Sequence, residues 1–129
     1  MKRVLLDTNF LMIPAAFRVD IFAELERIMH EPYEVCILDR TVDELRKITE
    51  TQRGKDKDAA RLALELARHK RVKIIITKEN KVVDDLIAQI ANSKSFIVAT
   101  QDRELKNKLK AKRVPLIVMR QKKYLKLNG

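Results

Sequence analysis

Apolar residues in this chain occur in two patterns that alternate from end to end. Short continuous runs stand at Val4 to Leu6, Tyr33 to Leu38, Val72 to Ile76, Ser95 to Ala99 and Val114 to Met119. Such runs predict five strands covered on both faces. Between them, apolar residues recur every three or four positions, which predicts helices. Phe10 to Ala16 and Ile21 to Met29 read as two helices or one broken at Pro14. Thr41-Val42-Asp43-Glu44 has the form of a capping box opening a helix through Leu45 and Ile48. Further helices are expected over Ala59 to Ala67, with Arg61 and Glu65 paired one turn apart, over Glu79 to Ala91, and through Leu105 and Leu109. Gln52 to Asp58 is polar, holds the only internal glycine and reads as an exposed loop. Alternating buried strands and helices imply an α/β sandwich with a mainly parallel five-stranded sheet.

Length and composition add bounds to that picture. With 129 residues and 46% hydrophobic content, the chain suits one domain, here 1–120, with 121–129 as a basic tail or short extension. No apolar run approaches a membrane span, and M-K-R-V-L-L-D loses its apolarity too soon for a signal peptide, so a cytoplasmic protein is expected. The single cysteine, Cys36, lies in an apolar run and reads as a buried, inert thiol. The net charge of +10 is unevenly spread. Arg103 to Gly129 contains ten Lys or Arg against one acid, whereas the first 102 residues contain 18 against 17. A basic C-terminal quarter suits a polyanion such as RNA, although lysines kept for solubility produce the same count.

The acids are more informative. Asp7 leaves the first strand, Glu44 follows the second, Asp84 and Asp85 lie on a helix, and Asp102 leaves the fourth strand. If these strands share a parallel sheet, their carboxyl ends meet along one edge, where sites form in open α/β sheets. Each acid also has an ordinary alternative, N-capping for Asp7 and Asp102, the capping box for Glu44 and surface solvation for Asp84. Carboxylates gathered in one cleft repel unless a cation compensates them. Without clustered His or Cys, the donor set suits Mg²⁺ or Mn²⁺ rather than zinc. Such a site beside a basic surface implies metal-assisted phosphodiester hydrolysis. Two glycines leave no phosphate-cradling loop, and His30 and His69 stand alone.

L-L-D-T-N at the start, the helix carrying Glu44, V-D-D-L-I-A at 83–88 and A-T-Q-D-R-E-L at 99–105 together resemble the PIN-domain ribonucleases. The ending V-P-L-I-V-M-R-Q-K-K-Y-L is similar to the archaeal and eukaryotic subgroup that processes small-subunit ribosomal RNA, with VapC-type toxins more distant. The resemblance implies a Rossmann-like three-layer α/β/α sandwich and an endoribonuclease cutting single-stranded or structured RNA with Mg²⁺ or Mn²⁺. It implies Asp7, Glu44, Asp84 and Asp102 as the catalytic, metal-holding acids, with Asp85 as the alternative to Asp84. Thr8, Asn9 and Thr100 would hydrogen-bond around them. Arg103, Lys106, Lys110, Arg120, Lys122 and Lys123 would grip RNA phosphates. A homodimer, a ribosomal partner or, for a toxin, an antitoxin partner would follow from the same likeness. Two alternatives accompany it: a non-catalytic RNA-binding or ribosome-assembly factor, and the toxin of a toxin–antitoxin pair. Gln101 falls where the family varies.

Overall fold

The computed structural model describes residues 1–128. Six strands form one sheet in the order β3-β2-β1-β4-β5-β6. These are β1 (Lys2–Leu6), β2 (Tyr33–Leu38), β3 (Lys73–Ile75), β4 (Phe96–Ala99), β5 (Leu116–Arg120) and β6 (Tyr124–Asn128). The first five are parallel, and β6 runs antiparallel to β5 with Arg120 opposite Tyr124 and Leu116 opposite Asn128. Seven helices complete the described residues: α1 (Thr8–Leu11), α2 (Ile13–Phe17), α3 (Ile21–Ile28), α4 (Asp39–Thr51), α5 (Lys55–His69), α6 (Val83–Ile90) and α7 (Arg103–Ala111).

The continuous apolar character of β1 follows from its position at the sheet centre. Val4 and Leu6 face a core shared with α1 to α5, and Leu5 faces a second core under α6 and α7. All three are fully buried. The three-layer α/β/α expectation therefore holds, and the parallel sheet collects the carboxyl ends of β1, β2 and β4 on one edge.

The structure corrects four sequence expectations. The sheet has six strands rather than five, because the basic tail supplies β6. Leu125 enters the main core, and Glu24 and Arg27 on α3 hold its backbone N–H and carbonyl at 2.9 and 2.8 Å. The helix at Glu44 does not begin with a capping box. It starts at Asp39, whose carboxylate accepts from Thr77 and from the Arg40 N–H. Burial alone would raise the Asp39 carboxyl, but those hydrogen bonds outweigh it and hold it below its ordinary value. The loop between α4 and α5 shrinks to 52–54, and Gly54 opens α5 at φ 65. Arg61 and Glu65 form no ion pair among the described residues.

The anchoring of β6 is directly testable. Leu125→Ala should cost about 3 kcal/mol, the usual scale for emptying a buried leucine site, whereas Leu127→Ala, two residues on along the same face but exposed, should stay within about 0.5 kcal/mol. Urea midpoints measure both, and equal costs would mean that Leu125 does not hold the strand.

Candidate active site

The edge where β1, β2 and β4 end opens into a cavity of about 390 Å³. Asp7, Glu44, Asp84 and Asp102 all line it, together with Thr8, Asn9 and Lys47. The four acids arrive from four elements: the end of β1, the second turn of α4, the first turn of α6 and the turn after β4. Their gathering follows from the topology, since β1 lies between β2 and β4.

Each acid is held differently. Asp7 is buried and N-caps α1, its Oδ1 accepting from the Phe10 N–H at 2.7 Å. Its Oδ2 accepts from the fully buried Thr100 hydroxyl. Burial pushes the Asp7 carboxyl up to about 6; the two hydrogen bonds oppose that rise, and the charges of Asp84 and Asp102 add to it. Asp84 is half-buried and is likewise raised, first by burial and then by Asp102, Glu44 and Asp85, against Lys108. Glu44 accepts a 2.5 Å hydrogen bond from Thr8, whose hydroxyl lies 3.5 Å from that of Thr41. Asp102 N-caps α7 through the Leu105 N–H at 2.8 Å. Capping and cavity lining thus coincide at Asp7 and Asp102. At Asp102 the cap occupies one carboxylate oxygen and leaves the other without a hydrogen bond among the described residues, whereas at Asp7 the second oxygen holds the Thr100 hydroxyl.

The turn after β4 is fixed more firmly than the sequence indicated. The Thr100 N–H bonds the Ile117 carbonyl at 3.1 Å, and the Asp102 N–H bonds the Thr100 hydroxyl at 3.1 Å. Between them, the Gln101 side chain accepts from the Met119 N–H at 2.7 Å and donates to the Met119 carbonyl at 3.2 Å. Its amide continues the ladder to β5 after the β4 backbone has turned away. The sequence marks Gln101 only as a position where the family varies, because a single Gln after a strand carries no distinguishing signal.

Several expected residues lie elsewhere. Asp85 does not line the cavity and pairs instead with Lys108 at 3.3 Å. Arg103 follows Asp102 at the start of α7 and Lys106 stands one turn on, but Lys110 is in the last turn, away from the acids. Arg120, Lys122 and Lys123 sit at the β5–β6 turn, where Gln121 and Lys122 adopt left-handed backbone and Lys122 stands 5.9 Å above the Phe17 ring. None of these cations lines the cavity. The one that does is Lys47, a turn beyond Glu44. Burial raises the Cys36 thiol to about 11, in keeping with an inert core cysteine. Among the described residues, no three His, Cys, Asp or Glu side chains converge closely enough to hold one ion as placed, and no helix is long and apolar enough to cross a membrane.

Comparison with known proteins agrees with this fold. Residues 4–122 match the family described as the PIN like domain. The chain belongs to the PIN-like domain family. Ribonuclease VapC4 of Methanocaldococcus jannaschii is 31% identical over 129 residues, covering the whole chain and 98% of that protein. The human rRNA-processing protein FCF1 homolog is 27% identical over 124 residues, which is 94% of this chain and 59% of that longer protein. Among solved structures, the PIN domain endonuclease Utp24 superposes with a TM-score of 0.79 at 25% identity, over 97% of this chain and 90% of that one. The acid-lined cavity is therefore found on a PIN fold.

Proposed function

We propose that this chain is a divalent-metal-dependent endoribonuclease that hydrolyses phosphodiester bonds in single-stranded RNA. The observation that carries the reading is the meeting of four carboxylates from four separate elements in one cavity on a PIN fold. The donor chemistry fits Mg²⁺ or Mn²⁺: every titratable ligand candidate is a hard oxygen, and burial together with mutual repulsion raises Asp7 and Asp84. Asp7, Glu44, Asp84 and Asp102 would hold the ion. When bound, such an ion supplies an activated water and neutralises charge on the scissile phosphate.

The residues themselves prepare that site. Thr100 and the Phe10 N–H orient Asp7 and favour its ionised form, so that above pH 6 it presents a carboxylate. Thr8 turns Glu44 toward the cavity, and Lys47 offers the strand a positive contact there. Purified protein should cleave a single-stranded RNA with Mn²⁺ or Mg²⁺ and stop when the metal is chelated. No cleavage with either metal would leave RNA binding or ribosome assembly as the function. Likeness to FCF1 supports a role in ribosomal RNA processing, and likeness to the ribonuclease VapC4 keeps the toxin reading, with an antitoxin partner, as the alternative. Growth arrest on expression, relieved by inactivating Asp7, would favour the toxin role.

A further inference from the structure

A second cavity, of about 740 Å³, lies on the other flank of α4. Arg46, Lys57, Arg61, Arg68 and Arg71 line it, against one acid, Glu65. None of these five cations takes part in an ion pair or a side-chain hydrogen bond among the described residues. Five like charges around one hollow repel one another. An anion entering it would relieve that repulsion.

The position of the hollow indicates which anion. On α4, Glu44, Lys47 and Ile48 face the acid cavity, whereas Val42, Arg46 and Thr49 face the basic one. The two cavities therefore stand back to back across a single helix, about 10–12 Å thick. The turn between α4 and α5 connects them: Thr51 and Gln52 line the first cavity, Lys57 lines the second, and exposed Arg53 and Lys55 lie between. Asp56 and Asp58 stand in the first turn of α5 but line neither cavity. A chain leaving the acidic cavity around the end of α4 would meet a positive contact at each step.

Resting on the nuclease reading, we infer that the basic cavity between α4 and α5 is a second RNA site, which binds phosphates of the single strand beyond the segment held at the acids. Its floor includes Val42, Leu64 and Ile74 and contains no aromatic ring on which a base could stack. Recognition there is accordingly of backbone and independent of base sequence. This places a phosphate grip outside the basic C-terminal quarter, within the first 102 residues, whose 18 basic and 17 acidic side chains nearly balance in number but are segregated in space. An acidic protein segment is the competing occupant, and the test separates the two.

Binding should be measured with Ca²⁺ in place of Mg²⁺ and Mn²⁺, a cation that takes the same oxygen ligands in looser geometry, on single strands of about five and about 20 nucleotides, lengths that stay within one site and reach beyond it, with the RNA checked to be intact. The variant Arg46→Ala/Arg61→Ala/Arg68→Ala should bind the long strand about tenfold more weakly, with a salt slope lower by about 2, as expected for three lost phosphate contacts. The short strand should be unaffected. An unchanged slope on the long strand would assign the cavity to something other than RNA, and an equal loss on both strands would overturn its place beyond the segment held at the acids. If wild type binds neither strand at low salt, the nuclease reading falls and takes this one with it. Should the triple variant fail to fold, acetylation of Lys57 in wild type gives the same answer: the long RNA should protect it and the short one should not. Equal modification with and without the long RNA would overturn the site.

Discussion

Replacing Asp7 with Asn should abolish cleavage and at the same time make the protein more stable. The activity loss is expected to be about a thousandfold, roughly 4 kcal/mol in the barrier, because Asn can neither carry charge to a divalent ion nor balance the other three acids. The stability gain follows from the raised carboxyl. Asp7 stands at about 6 in the fold against an ordinary 3.8, so between those pH values the folded state keeps a proton that the unfolded chain has released. Stability accordingly falls as pH rises through this window, and above it the ionised group costs the fold about 2–3 kcal/mol. Asn keeps the hydrogen-bonding shape: its carbonyl accepts from the Phe10 N–H and its amide donates to the Thr100 hydroxyl. Metal-free thermal melts should show the variant higher by roughly 5–10 °C at pH 8 and level with wild type below pH 4. A variant that cleaves normally, or one no more stable at pH 8, would contradict the role given to this carboxylate.

The second large effect is expected at Thr100, which touches two of the acids at once. Its hydroxyl donates to Asp7 and accepts from the Asp102 N–H, and it is fully buried. Thr100→Val keeps the shape and removes both bonds, leaving a buried carboxylate oxygen and an N–H unpartnered. We expect a loss of about 1–3 kcal/mol in stability. A merely structural role ends there. A role in setting the charge of Asp7 predicts more: without this bond the carboxyl rises further, so the acidic limb of the pH–rate profile moves toward neutrality. Activity at pH 6 should fall by about tenfold or more and recover substantially at alkaline pH. A uniform loss across the pH range would limit Thr100 to packing.

How much of this was legible beforehand depends on what each residue answers to. β2 was read with its observed bounds, Tyr33–Leu38, because a strand covered on both faces needs no partner to declare itself. The meeting of the acids was legible for the same reason: once β1, β2 and β4 are parallel neighbours, their exits share an edge. β6 was missed because Leu125 alone faces the core within Lys122 to Lys126, so the charge of the run masked its alternation. The start of α4 was missed because Asp39 finds its donors partly in Thr77, 38 residues away. The division of Arg46 and Lys47 between two cavities was beyond the sequence altogether. Adjacent residues on a helix point apart, and which face receives which neighbour is settled only when α5 packs against α4.

The clamp between Gln101 and Met119 gives the fold an internal reporter. The Met119 amide proton is held by a side chain rather than by a backbone ladder, so it is released whenever Gln101 swings away, without unzipping any strand. Deuterium uptake at that one amide therefore records how often the turn bearing Thr100 and Asp102 loosens. It would distinguish a site rigid before its ligand arrives from one that tightens on binding.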